Sequence, residues 1–228
     1  MENSRTLKEE LLQGKYQELF QDIYQDKAGA EAQNSRYARA IEKFEELFGE
    51  KQVEIYSAPG RSEVGGNHTD HQHGMVLATS INLDAIAVVS PAESSVMQVV
   101  SEGYDMVQVD TGDLEEKYEE EGTTAALIRG VAAALAEKGY KVGGFQAYIT
   151  SDVLIGAGLS SSAAFEVLLG TIISGLYNDM KIDPVEIAKA GQFAENVYFG
   201  KPCGLMDQMA SSVGGLIHID FKDTQAPS

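Results

Sequence analysis

From Leu7 to Tyr24, apolar residues recur every three or four positions, at Leu7, Leu11, Leu12, Tyr16, Leu19, Phe20, Ile23 and Tyr24, with Glu, Lys, Gln and Asp between them. That spacing predicts an amphipathic helix over 4–26. A second helix is predicted over about 30–48, from Tyr37, Ala40, Ile41, Phe44, Leu47 and Phe48, with Gly49 as its stop. Together they predict a helical hairpin over 1–50, packed on a larger body over 51–228. At residue 53 the period changes. VEIYSAP, MVLATSI, AIAVVS, SVMQVV and MVQVD are short β-like runs punctuated by Gly, Asp, Asn and Pro. TTAALIRGVAAALAEKG (123–139) predicts a helix of small apolar residues, GGFQAYIT a strand, and SAAFEVLLGTIISGLYN a buried helix. Asp183 and Pro184 have the residue types of an N-cap and first helical position, opening a helix to about Val197. A short helix over 204–213 and a strand over 214–220 follow. Strands come first and helices later, so the pattern predicts an α+β layer fold rather than a regular βαβ series.

Composition narrows the partners. The net charge is −18, from 35 acidic and 17 basic residues. A nucleic-acid partner needs a basic surface, so it is excluded as the main partner. A small anion could still be held, through a helix N-terminus, a few arginines or a divalent cation. No apolar run is long enough to span a membrane, and no apolar segment follows a basic start. With the single Cys203, these features predict a cytoplasmic protein without disulfides.

Three segments carry candidate chemistry. The first is GAGLSSSAA (156–164), at the junction between a strand and a helix. A helix start leaves about four backbone N–H groups unpaired, and its dipole favours an anion there. Gly156 and Gly158 permit positive φ and close approach of a ligand, and Ser160, Ser161 and Ser162 add hydroxyls. The stretch lacks the lysine of a P-loop, the third glycine of a dinucleotide fingerprint and the GxSxG of a nucleophile elbow. On spacing alone, phosphate binding and tight helix–strand packing with serine capping both stay open.

The second segment is APGRSEVGGNHTDHQHG (58–74), which holds three of the four histidines. HTDHQH has ligand types that suit zinc or a two-metal hydrolase. It equally suits a polar loop that pairs with sugar hydroxyls, or a solvated turn with local Asx bonds. The third is AENVYFGKPCGLMDQMASSVGG (194–215), where Asp207 lies among apolar and small residues. Arg61, paired with such a carboxylate, would hold it ionised. Glu195, taken alone, reads as a solvent-facing helix glutamate.

Taken together, PGRSEVGGNHTDHQHGMVLATSIN resembles the galactokinase signature. GAGLSSSAA resembles the second motif of the GHMP small-molecule kinases, and KPCGLMDQMAS resembles the galactokinase segment with its catalytic aspartate. The order and spacing match over about residues 50–220. The resemblance implies the GHMP-kinase N-terminal fold, a mixed sheet like that of ribosomal protein S5 domain 2 with helices on one face. It implies transfer of the γ-phosphate of ATP to the C1 hydroxyl of galactose, with Mg²⁺, in a protein expected to be monomeric. By motif position, Asp207 and Arg61 would be catalytic, and Asn67, His68, Asp70 and Gly204 would contact sugar. Gly156, Ala157, Gly158, Leu159, Ser160, Ser161 and Ser162 would bind ATP, and Ser161 or Ser162 with Glu195 would hold magnesium.

The chain departs from the family pattern in two ways. Asn67 stands where the family carries Glu, and His71 where it carries an aromatic. A kinase for N-acetylgalactosamine or arabinose, or a non-catalytic sensor of galactose and ATP, is therefore a second reading. The intact GLSSSAA and Asp207 favour the enzyme. The family's C-terminal GHMP domain has no counterpart here, and the 228 residues by themselves are expected to have little or no kinase activity.

Overall fold

The computed structural model describes residues 1–25, 27–66, 69–154 and 156–223, with the side chains of Lys27, Ala28, Asp70 and His71 outside that description. A two-residue strand, β1 (Glu2–Asn3), leads into α1 (Ser4–Leu12), α2 (Gln17–Tyr24) and α3 (Lys27–Phe48). The predicted hairpin is thus three helices. The break falls at Gly14, which takes a φ of +75°, a conformation that ends a helix at little cost for glycine.

The body alternates β2 (Gln52–Gly65), β3 (Met75–Pro91), β4 (Val96–Ser101), β5 (Val107–Asp110), α4 (Thr124–Glu137), β6 (Phe145–Ser151), α5 (Ser161–Asn178), α6 (Pro184–Phe193), α7 (Met206–Val213) and β7 (Leu216–Asp220). Among the described residues the sheet order is β1-β2-β3-β6-β4-β5. β4 and β6 run parallel, and β2–β3, β3–β6, β3–β7 and β4–β5 are antiparallel. β3 is the spine. Its first half pairs with β7 and its second half with β6, so the two strand runs expected at 75–81 and 85–90 are one strand.

Both faces of β3 are buried where it crosses the sheet. Ala85, Ala87 and Val89 join the core under α4, α5 and α6, while Ile86 and Val88 join a second core under the N-terminal helices. The unbroken apolar run AIAVV is what a strand covered on both faces requires. Helices α4–α6 lie on one face as expected, and the N-terminal helices take the other. A third, smaller core sets α7 (Met206, Met209, Ala210) against Val76, Ala78 and Ile219 of β3 and β7. These layers bring the middle of β2, the start of α5 and the start of α7 together.

Candidate active site

Arg61 sits on β2 at a register shift between Pro59 and Arg61 in the pairing with β3. The irregularity turns its side chain under the start of α5, where only 7% of the residue is exposed. There the guanidinium grips Asp207 at two points: Nε donates to Oδ1 at 2.7 Å and Nη2 to Oδ2 at 3.0 Å. Its remaining nitrogen, Nη1, donates to the carbonyl of Gly158 at 2.8 Å, and its backbone N–H donates to the carbonyl of Leu159 at 3.2 Å. One planar fork therefore fixes the carboxylate and the loop tip at once. α7 is anchored beside it by Ser211, whose hydroxyl donates to the carbonyl of Pro59 at 2.7 Å.

Gly60 makes this closeness possible. A Cβ there would lie 2.9 Å from the carbonyl of Leu159 and 3.0 Å from a methyl of Val153.

The small-residue junction behaves as a loop rather than as filler. Gly156 and Gly158 take φ of +77° and +73° with open space where a Cβ would be, so backbone conformation rather than crowding calls for glycine there. Residues 156–158 are exposed. Ser160 takes a left-handed conformation (φ 57°) at the N-cap of α5, yet its side chain makes no capping bond. Its hydroxyl donates instead to Oδ2 of Asp207. The serine-capping alternative therefore does not describe Ser160.

Behind Asp207 lies a buried acidic cluster. The helix of α6 widens into a single π-turn over Ala194–Tyr198, and this carries Glu195 inward to 4% exposure. Glu195 is thus a buried residue and not the solvent-facing one its local pattern suggests. Lys201 Nζ lies 3.2 Å from Oε1 of Glu195, and Gln208 Nε2 donates to Oε2 at 3.2 Å. The same Gln208 nitrogen donates to Glu166 at 3.0 Å. Glu166 is fully buried, and burial, then the nearby Glu195, pushes its carboxyl well above the usual range. Burial, then Glu195, likewise pushes the Cys203 thiol up.

Glu166 lies one helical turn beyond Ser162, on the same face of α5. Glu195, held beside it, is therefore on the side of the helix that also carries Ser162. A serine hydroxyl and a carboxylate are hard oxygen donors of the kind magnesium takes, so the residues fit that ion. Among the described residues no three of His, Cys, Asp and Glu form a group that could hold a metal ion. His73 instead meets the carbonyl of Lys222 through Nδ1 at 3.2 Å, and His218 lies on β7.

Asn67 and His68 lie outside the described residues, as does the side chain of Asp70, which belongs to a short turn over Thr69–Gln72. Gly204 sits in the segment just before α7, and Asn196 ties that segment to the π-turn. The Asn196 carboxamide accepts from the N–H of Cys203 at 2.6 Å and donates to its carbonyl at 3.3 Å. Sequence reasoning missed Asn196, Glu166 and Gln208. Gln208 and Glu166 could have been suspected only as polar residues inside otherwise apolar helices.

A cavity of about 560 Å³ opens beside the loop. Val99 and Ser101 of β4, Tyr104, Leu127 of α4, and Ser162 and Phe165 of α5 line it, among others. Its walls are mostly apolar, Glu102 and Asp105 also line it, and it reaches Ser161 and Ser162 at the start of α5.

Comparisons with known proteins match two parts of the chain to family models. Residues 42–91 match the galactokinase galactose-binding signature, and residues 126–215 match the GHMP kinase N-terminal domain. A galactokinase from Pyrococcus furiosus is 37% identical over 168 residues, covering 74% of this chain and 46% of the relative. One from Streptomyces coelicolor is 37% identical over 186 residues, covering 81% of this chain and 47% of the relative. The crystal structure of Lactococcus lactis galactokinase complexed with galactose superposes with a TM-score of 0.74 at 29% identity, covering 82% of this chain and 49% of that one. The chain spans about half the length of the curated relatives it matches.

Proposed function

The chain belongs to the galactokinase family of the GHMP kinases, and from that premise we propose that its residues form the sugar- and phosphate-facing part of an enzyme that phosphorylates galactose at C1 with Mg-ATP. The observation that carries the reading is the two-point grip of Arg61 on Asp207 directly beneath the glycine-rich loop. A carboxylate held in that way beside a phosphate cradle is placed to receive the proton of a sugar hydroxyl.

Asp207 orients the C1 hydroxyl and accepts its proton, and the freed oxygen attacks the γ-phosphorus as the bond to ADP breaks. Phosphoryl transfer of this kind depends on alignment and charge neutralisation more than on covalent help. Arg61 keeps the acceptor carboxylate and the loop tip in fixed relation. The backbone of 156–162 and the helix start behind it receive the phosphates. Ser162, or Ser161, with Glu195 would hold Mg²⁺, which supplies charge neutralisation on the phosphate oxygens. The apolar cavity beside Ser162 has the size and walls for the adenosine end of ATP. Asn67, His68, Asp70 and Gly204 are assigned to the sugar by their motif positions. On this assignment residues 51–228 form the GHMP N-terminal unit and 1–50 a helical extension of it.

The test is ADP release from Mg-ATP over a panel of galactose, N-acetylgalactosamine, arabinose and mevalonate. It is run on the 228-residue chain and on the longest product of the same gene. Galactose-dependent release by the longer product is the expected result, with little from the 228 residues. Equal indifference of the longer product to every sugar would overturn the reading, and galactose binding without turnover would favour a sensor.

A further inference from the structure

Asp84 sits in the middle of β3, opposite Pro59 in the pairing with β2, and only 3% of it is exposed. A carboxylate buried in a sheet needs partners, and here they come from the N-terminal helices. Arg36 of α3 donates from Nη1 to Oδ1 of Asp84 at 2.6 Å and from Nη2 to its carbonyl at 2.8 Å. Tyr24 of α2 donates to Oδ2 at 2.8 Å, and Ser57 of β2 donates to the same oxygen. Tyr37 joins its hydroxyl to that of Tyr24 at 2.8 Å. The third guanidinium nitrogen of Arg36, Nε, lies 3.1 Å from Oδ2 of Asp152. Asp152 also donates its backbone N–H to the carbonyl of Asp84 at 2.9 Å.

Asp152 is the first residue after β6, and the segment it opens leads into the glycine-rich loop. The next residue, Val153, is 2% exposed and packs its methyls against Gly60. At the far end, Leu159 and Gly158 are held through their carbonyls by Arg61. The loop is therefore pinned at its tip by the arginine of the active site and at its root by a second arginine from the N-terminal helices. A buried guanidinium that hydrogen-bonds the carboxylate and carbonyl of Asp84 and ion-pairs with Asp152 through Nε costs far more than an apolar contact would need, if docking α3 were its only task.

We infer that Arg36 is a positioning residue for the glycine-rich loop, so that the N-terminal helices set the geometry of the phosphate site. The inference rests on the reading of that loop as a nucleotide cradle, but its first readout needs no nucleotide.

The experiment compares Asp152→Asn, Arg36→Lys and Arg36→Met with the unchanged chain. Asp152 is half exposed on its side chain (45%), so its substitution leaves the Arg36–Asp84 pair and the fold intact. Amide hydrogen exchange is read at Arg61 and Ala164, whose N–H groups bond the loop carbonyls of Leu159 and Ser160 at 3.2 and 3.0 Å. Asp152→Asn should speed it about threefold and Arg36→Met about tenfold, while amides of β3 and β6 keep their protection in Asp152→Asn. Arg36→Lys keeps the charge but cannot span three acceptors, and should resemble Arg36→Met at the loop. Titration with Mg-AMPPNP should weaken in the same order, with galactose affinity unchanged. Unchanged loop exchange in Asp152→Asn, or a change spread evenly over the sheet in all three variants, would overturn the inference. Faster loop exchange without any nucleotide binding would leave Arg36 a loop anchor and refute the nucleotide reading instead.

Discussion

Arg61 and Asp207 stand 146 positions apart and meet through two nitrogens and two oxygens, at 2.7 and 3.0 Å. The arginine side chain is 9% exposed and the aspartate side chain 31%, so the aspartate is the member open to solvent. In the longer gene product, Asp207→Ala should reduce galactose-dependent ADP release to background while the circular dichroism spectrum is kept. It strands two donors of a buried guanidinium, so urea denaturation should show a loss of about 1–3 kcal/mol. Turnover within tenfold of the unchanged protein would remove Asp207 from its assigned role.

Glu166 predicts a specific pH dependence. Its carboxyl is raised well above the ordinary 4.5 in the folded chain. Between that unfolded value and the raised one, the folded state binds more protons than the unfolded state, so stability falls as pH rises. Glu166→Gln resembles the protonated acid and removes the cost. Between about pH 5 and about pH 8 the unchanged chain should lose stability relative to Glu166→Gln, and not relative to an exposed control. Parallel denaturation curves at both pH values would show that Glu166 is not held protonated.

Gly60 tests the contact between β2 and the loop. Its added methyl would meet the carbonyl of Leu159 and the methyls of Val153, whereas one on Gly65, in the same strand, would meet nothing within 4 Å. Gly60→Ala should therefore push the loop outward, cost about 1–3 kcal/mol and weaken Mg-AMPPNP binding at least several-fold. Gly65→Ala should do neither. Calorimetric titration of both variants decides it; equal affinities would mean that the loop moves freely of β2.

The parts of this architecture that were legible in the sequence are those decided locally. The unbroken AIAVV run reports a strand buried on both faces, and the side chain of Asp183 accepts from the N–H of Val185 at 2.8 Å at the start of α6, as Asp before Pro predicts. Arg61, Asp207 and the loop were legible because their motifs are. What was hidden depends on distant partners. Asn82 and Asp84 look like a turn inside β3, but Arg36, Tyr24 and Ser57 absorb the Asp84 carboxylate and let the strand run through. Glu195 carries no local sign of burial, because the π-turn that rotates it inward has no composition of its own. Glu166 has the spacing of an ordinary helix residue, and only the packing of α6 and α7 over α5 closes it off from water.

The cavity beside Ser162 gives the last prediction. Its walls come from β4, β6, α4 and α5, and no tryptophan occurs anywhere in the chain, so nothing in the sequence marks a base-binding slot. Ser101 lines it from the end of β4. Ser101→Trp should fill the slot with an indole that buries apolar surface at no cost in stability, and should weaken Mg-AMPPNP at least about tenfold, since an occupied slot excludes the base. Galactose affinity should not change, because the residues assigned to the sugar lie in other segments. The new indole would be the only one in the 228 residues, so its emission reports its own burial. A blue-shifted emission maximum with undiminished nucleotide affinity would place the adenosine elsewhere. A red-shifted maximum, like that of an indole in water, together with weakened nucleotide binding would show that the side chain blocks the mouth of the slot rather than its interior, and Leu127→Trp, entering from α4, should then reproduce the loss.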